Sequence, residues 1–297
     1  MEKTRPIQPK PAWLKKRLPE GQAFESVRRL VRGSGLHTVC EEAACPNIWE
    51  CYNRNTAAFM ILGENCSRDC RFCAVGHGPL PPPDPGEPER IAAAVKSLGL
   101  DYVVVTSVTR DDLPDCGAGH FAAVVEALRG LTPRRTIELL IPDLLGDASA
   151  LGVILDAGPD VLNHNVETVP RLYKRVRPQA SYSRSIELLR RSRTLRPDLI
   201  TKSGLMLGLG ETPEEVEATL RDLLTADCRL LTLGQYLRPS MRQLPVERYV
   251  PPEEFAEWRE RALSMGFAQA ACGPYVRSSY QAKTIYEQSA ARPGRQQ

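Results

Sequence analysis

Between positions 56 and 240 the chain alternates short aliphatic or β-branched runs with longer stretches of helical pattern. The runs at 59–63, 102–108, 136–141, 161–166, 200–207 and 230–236 predict strands, because short apolar runs suit a sheet covered on both faces. The stretches at 89–98, 120–129, 183–195 and 213–226 predict helices between them. This alternation is the signature of βα units around a parallel sheet, six of them here. One helix start can be read in detail: Thr212, Pro213 and Glu215 stand in the order N-cap, N1 and N3 of a capping box. Gly210 and Glu211 then fall in the loop at the carboxyl end of the preceding strand, where parallel α/β folds build their sites. The proline-rich stretch 78–88 can be neither helix nor central strand and reads as a surface connection.

The pattern divides the chain into 1–55, 56–240 and 241–297, an α/β unit with an extension at each end. A length of 297 residues fits one such core. With 42% hydrophobic and 25% charged residues the composition is that of a folded globular protein, so a largely disordered chain is set aside. No apolar run lies between the first basic residues and the first glycine, so neither a secretory signal nor a membrane span is expected. The expected location is cytoplasmic, with no membrane partner. Residues 1–21 combine prolines and lysines with Glu2 and Glu20, unlike an acid-poor transit segment, and read as an arm. A net charge of +3 implies no nucleic-acid partner. From 171 to 196, however, eight arginines and Lys174 accompany one acid, Glu187; the stretch either faces an acidic protein or is a solvated helix face.

Nine cysteines in such a chain point to metal ligation over disulfides, since the cytosol keeps thiols reduced. Cys116, Cys228 and Cys272 are scattered and read as ordinary thiols. Cys66, Cys70 and Cys73 form C-x3-C-x2-C, with Phe72 before the third cysteine. A cubane of four irons takes one ligand per iron, so three cysteines leave one iron open. An open iron can chelate the amino and carboxylate groups of S-adenosylmethionine and pass an electron to its sulfonium. A structural zinc would want four protein ligands, and this loop offers three cysteines with His77 as the one further candidate. Fifteen residues upstream, Cys40, Cys45 and Cys51 form a second triplet, C-x4-C-x5-C. Two triplets imply two clusters, and the second needs a ligand that is not cysteine.

The segments C-E-E-A-A-C-P-N-I-W-E-C at 40–51 and N-C-S-R-D-C-R-F-C at 65–73 resemble the lipoyl synthase family of the radical S-adenosylmethionine superfamily. Further segments agree: T-S-V-T-R-D-D-L-P-D at 106–115, H-N-V-E-T-V-P-R-L-Y at 164–173, T-K-S-G-L-M-L-G-L-G-E-T at 201–212, G-Q-Y-L at 234–237 and V-R-S-S-Y at 276–280. The likeness spans residues 40–280. It implies an α/β fold, a partial (β/α)6 TIM-like barrel with an N-terminal cysteine-rich extension and a C-terminal extension. It implies two 4Fe-4S clusters, the second completed by a serine of V-R-S-S-Y, Ser278 or Ser279, of which Ser279 is preferred. Serine is a hard, poor ligand for iron, which suits a cluster that must surrender iron and sulfur.

By position and resemblance, Thr106 and Ser107 suit the amino-acid part of S-adenosylmethionine. Asn163, Asn165 and Glu167 suit its ribose. Gly204, Met206, Gly208 and Glu211 make a pattern similar to the superfamily's adenine-side strand, although glycines alone are weak evidence and fail the dinucleotide fingerprint at Pro213. Gln235 and Tyr236 are further candidates. The implied substrate is an octanoyl chain on a lysine of a lipoyl carrier domain, such as a dehydrogenase acyltransferase subunit or the glycine cleavage H protein. The implied reductant is ferredoxin or flavodoxin. Cys116 departs from the family, which has glycine there. A biotin-synthase-like sulfurtransferase is the rival enzyme, set aside because it lacks the upstream triplet. A zinc-stabilised module holding RNA or an acidic protein is the rival of another class.

Overall fold

In the computed structural model, which describes residues 9–15 and 23–290, eight strands form one sheet in chain order. The arm expected over 1–21 lies largely outside the described residues. The elements run α1 (Ala23–Gly33), β1 (His37–Thr38), α2 (Val39–Glu42), α3 (Ile48–Asn53), β2 (Ala58–Ile61), α4 (Glu87–Leu98), β3 (Tyr102–Ser107) and α5 (Ala118–Arg129). They continue as β4 (Thr136–Leu140), α6 (Ala148–Asp156), β5 (Val161–Asn163), α7 (Tyr173–Val176), α8 (Tyr182–Leu195), β6 (Ile200–Leu207), α9 (Pro213–Thr225) and β7 (Leu230–Gln235). The last three are α10 (Pro252–Met265), β8 (Gln269–Gly273) and α11 (Ala282–Ala290). β1 pairs antiparallel with β2, and every later neighbour is parallel. Among the described residues β8 does not pair back to β1, so the sheet is a partial barrel.

The central strands are buried along their length, as their unbroken apolar runs require. Helices cover them with one face each. On α5, Phe121, Val124, Val125 and Leu128 recur at helical spacing and are fully buried. Each such side chain contributes about 1.5–3 kcal/mol relative to exposure. The capping box forms as read: Thr212 Oγ1 accepts from Glu215 N and the Glu215 carboxylate accepts from Thr212 N at 2.8 Å. α4 starts at Glu87, two residues earlier than expected. The buried Glu87 carboxylate accepts from Leu62 N at 3.0 Å and contacts His120 Nε2 at 2.6 Å, which ties the helix start to the core.

The segment 241–297 contributes a seventh parallel strand, β8, beyond the six expected. Its sequence, Q-A-A-C-G, has no β-branched residue, so its pairing comes from tertiary context. Cys116 lies in the turn before α5 with φ of 53°, a left-handed conformation that explains why glycine suits this position. Its thiol is buried and does not reach the cavity described below. Burial pushes the thiols of Cys228 and Cys272 up to about 12, as expected of ordinary, unreactive cysteines.

Candidate active site

The loop after β2 has little regular structure and is held by fixed contacts. Cys66 N donates to Gly76 O, Ser67 N to Thr109 O and Cys73 N to Cys70 O, each at 2.9 Å. The buried Arg68 guanidinium grips both oxygens of Asp111 at 2.6 and 2.9 Å and Asp143 at 2.6 Å, locking the loop to the ends of β3 and β4. Gln243 Nε2 donates to Cys73 O at 2.9 Å and Leu244 N to Arg71 O at 3.0 Å, so the segment after β7 covers the loop. Cys66, Cys70, Phe72 and Cys73 thereby face a cavity of about 450 Å³ at the carboxyl ends of the strands.

The sulfurs suit a cluster. Cys66 Sγ accepts N–H bonds from Thr109 at 3.3 Å and Arg68 at 3.5 Å. Burial pushes the Cys73 thiol up to about 12 and raises that of Cys70, although the Arg177 guanidinium opposes the rise at Cys70. Desolvated thiols of this kind become ligands when a metal replaces the proton.

Thr106, Ser107, Asn165, Glu167, Gly204 and Met206 all line the same cavity. Ser107 Oγ and Asn165 Oδ1 are buried without a protein partner, which is how a pocket for a polar ligand presents itself. Thr106 Oγ1 donates to Leu140 O at 2.9 Å. A side chain at Gly204 would come within 2.4 Å of Thr232 Oγ1 and 3.0 Å of Asn165 Oδ1, filling the floor. Glu167 adopts φ of 64° and bridges to β6 through its N to Gly204 O and Met206 N to its own O, both 2.9 Å. Burial raises its carboxyl, and Arg177, Asn165 and Arg277 oppose that rise. Arg177 and Arg277 were not among the expected site residues. Both are wall residues of the cavity, and Arg177 Nη1 donates to Asn165 O at 3.0 Å. The arginine-rich sequence around Arg177 concealed it among surface charges.

Four expected cofactor contacts lie outside the cavity. Asn163 is fully buried and donates Nδ2 to Glu138 Oε1 at 2.9 Å. Gly208, at φ of 100°, leaves room for Arg248 O and Gln235 Nε2, either of which would sit 2.4 Å from an added Cβ. The Glu211 carboxylate caps its own loop by accepting from Gly208 N and Leu209 N. Gln235 donates to Leu207 O and Arg248 O and accepts from Val250 N at 2.7 Å, fastening the segment after β7. Tyr236 reaches the cavity wall, and its hydroxyl donates to Leu244 O at 2.7 Å.

The second triplet approaches from the other side. Cys40 sits buried on α2, Cys45 in the following turn and Cys51 on α3, with Cys45 N donating to Cys40 O at 3.1 Å. Cys45 lines the cavity; Cys40 and Cys51 do not. Phe24 of α1 stacks on Trp49 at 3.9 Å to hold α3 in place. Bonds from Asn47 Nδ2 to Tyr275 O at 2.6 Å and from Tyr280 Oη to Glu50 Oε1 at 2.9 Å join this lobe to the C-terminal segment. Ser278 and Ser279 therefore reach the cavity beside Cys45. Ser278 Oγ accepts from Asn165 Nδ2 at 2.5 Å, whereas Ser279 Oγ has no partner among the described residues.

Four of the eight arginines of 171–196 find acids on other elements. Arg171 pairs with Glu215, Arg175 with Glu247, Arg184 with Asp143 and Arg193 with Asp227. Arg190 and Arg191 share Glu187, and Arg196 meets Asp198. These bonds lower the basicity of the face from what the linear sequence suggested.

Comparison with known proteins agrees with this geometry. Residues 60–223 match the radical SAM superfamily and residues 2–45 match the N-terminal domain of lipoyl synthase of that family. The chain is 55% identical to lipoyl synthase of Desulfotalea psychrophila (strain LSv54 / DSM 12343) over 94% of both chains. It is also 55% identical to lipoyl synthase of Haemophilus influenzae (strain PittEE), over 92% of this chain and 86% of that one. Among solved structures, Streptococcus suis SuiB bound to S-adenosylmethionine superposes with a TM-score of 0.55 at 11% identity, covering 74% of this chain and 50% of that one. HydG, a maturase of the [FeFe]-hydrogenase, gives 0.55 at 15% identity over 77% and 62%. These two establish the shared fold.

Proposed function

The chain belongs to the lipoyl synthase family of the radical SAM superfamily, and from that premise we propose that it inserts sulfur at C6 and C8 of an octanoyl chain held on a lysine of a lipoyl carrier domain. It is an enzyme of the sulfurtransferase type that uses S-adenosylmethionine and a 4Fe-4S cluster. One observation carries the proposal: Cys66, Cys70 and Cys73 share a single cavity with Cys45 and Ser279. In this reading the first three hold the cluster that meets S-adenosylmethionine. Cys40, Cys45, Cys51 and Ser279 hold a second 4Fe-4S cluster, the sulfur donor. The hydroxyl of Ser279, without a partner among the described residues, supports that assignment over Ser278, whose hydroxyl already serves Asn165.

When bound, the first cluster and S-adenosylmethionine supply a one-electron cleavage whose product can take hydrogen from an unactivated C–H bond. The chain's own residues prepare the site. Ser107 Oγ and Asn165 Oδ1 offer unsatisfied polar atoms, and Gly204 leaves a flat floor. Arg177 and Arg277 support a charged Glu167 against its burial. Met60, Val108, Leu205 and Val276 give apolar walls that exclude water and suit an alkyl chain. The carriers proposed are dehydrogenase acyltransferase subunits and the glycine cleavage H protein, with ferredoxin or flavodoxin as reductant. All nine cysteines are free, in keeping with a reducing cytosol. Anaerobic reconstitution with iron and sulfide, followed by assay on an octanoylated carrier peptide, should give lipoyl product. Cleavage of S-adenosylmethionine with no sulfur insertion, or bound zinc without acid-labile sulfide, would overturn the proposal.

A further inference from the structure

Lys202 is an ammonium with no exposure at all, on β6 in the middle of the barrel. Its three protons have three acceptors: Glu138 Oε1 at 2.8 Å, Glu138 Oε2 at 3.2 Å and the main-chain oxygen of Ser278 at 2.6 Å. Glu138, also without exposure, accepts in addition from Tyr102 Oη at 2.5 Å and Asn163 Nδ2 at 2.9 Å. Four successive strands, β3 to β6, thus each give one side chain to a buried network whose outlet is a carbonyl of the C-terminal segment. A buried ion pair is no better for stability than well-packed apolar residues, so stability alone does not account for it. What it does is aim a charged donor at one peptide group.

That peptide group needs an anchor. Between β8 and α11 the chain has no regular structure, and its internal backbone bonds are Val276 N to Gly273 O and Tyr280 N to Arg277 O. Ser278 is instead held at two points by the barrel: its carbonyl by Lys202 and its hydroxyl by Asn165. Ser279 follows directly, with its hydroxyl uncommitted among the described residues. A hydroxyl is a weak iron ligand, so its effectiveness depends on being placed in advance.

We propose that Lys202, backed by Glu138, is a positioning residue for the second cluster: by fixing the Ser278 carbonyl it presents the Ser279 hydroxyl to the iron. The inference rests on the reading of Ser279 as the fourth ligand. It also gives Asn163 a task, the support of Glu138, in place of the expected cofactor contact.

The test uses the double variant Lys202→Met with Glu138→Gln, which removes both buried charges together so that neither is stranded. In the iron-free full-length chain, amide hydrogen exchange of residues 277–280 should quicken about tenfold or more, the scale of one lost hydrogen bond to a charged group, with other strands unchanged. In the reconstituted enzyme, a chelator should withdraw the second cluster's iron about tenfold faster, by the same loss, while S-adenosylmethionine cleavage persists. Unchanged exchange and iron release would overturn the proposal, as would exchange quickened uniformly through the barrel. If the double variant does not accumulate, Tyr102→Phe removes one bond from Glu138 without changing shape. A smaller quickening confined to 277–280 is then expected, and none would overturn the role. Ser279→Ala separates the layers: if that variant keeps both clusters, the ligand reading fails. If Ser279→Ala loses the second cluster while the double variant retains it normally, the positioning role alone fails.

Discussion

Asn165 takes the hydroxyl of Ser278 at 2.5 Å, so the adjacent serines of 276–280 are not interchangeable. Ser279→Ala should leave S-adenosylmethionine cleavage in place and abolish lipoyl formation, whereas Ser278→Ala should reduce it only severalfold; product analysis of both variants decides, and a reversed order would move the ligand to Ser278. A second residue-scale expectation concerns His164. It is wholly buried between Ile141 O at 2.8 Å and Ser185 Oγ at 2.9 Å. Burial lowers its pKa from 6.5 to about 4, with Arg177 adding to the effect. The unfolded chain therefore binds more protons than the fold between pH 6.5 and 4, and stability falls on acidification through that window. The loss is on the order of 3 kcal/mol, complete below about pH 4. His164→Gln should flatten this part of the pH profile in denaturant titrations, and an unaltered slope would refute the assignment. The convergence of Cys45, Cys66, Cys70 and Cys73 on one cavity was legible because residue type and close spacing stand together in the sequence. Arg177 and Lys202 were not: a buried cation looks like any other basic residue until its partners, on distant strands, are known.

Elements were legible in proportion to their local signals. The capping box at Thr212 is a local device, and Thr212→Ala should cost about 1 kcal/mol by loss of the cap, measured as a lowered denaturation midpoint with unchanged slope. No change would mean that the Glu215 to Arg171 ion pair holds the helix start by itself. The six apolar strands announced themselves, whereas β8 lacked β-branched residues and joins the sheet only because β7 offers it an edge. The strand ends were legible as a site, yet alternate residues along a strand point to opposite sides. That is why Gly234 reaches the cavity while its neighbour Gln235 serves the packing; Asn163, two residues before Asn165, lies one layer deeper in the barrel and bonds Glu138 instead. The partners of half the arginines of 171–196 were hidden for a related reason: those acids are remote in sequence, at Asp143, Glu215, Asp227 and Glu247.

At the scale of the molecule, the barrel brings three remote segments together: the α2 and α3 lobe, the loop after β2 and the segment between β8 and α11. None of them encloses a cavity alone. Bonds such as Asn47 to Tyr275 and Tyr280 to Glu50 close the arrangement across more than two hundred residues of sequence. No helix of the described residues is long and apolar enough to cross a membrane. The central claim is that this closure builds two cluster sites with separate tasks. Iron and acid-labile sulfide per chain test it most directly, compared between the full chain and the triple variant Cys40→Ala, Cys45→Ala, Cys51→Ala after anaerobic reconstitution. Two clusters of four irons predict about eight irons in the full chain and about four in the variant, which should still cleave S-adenosylmethionine but insert no sulfur. Saturation of the full chain at about four irons, or sulfur insertion by the variant, would contradict the account.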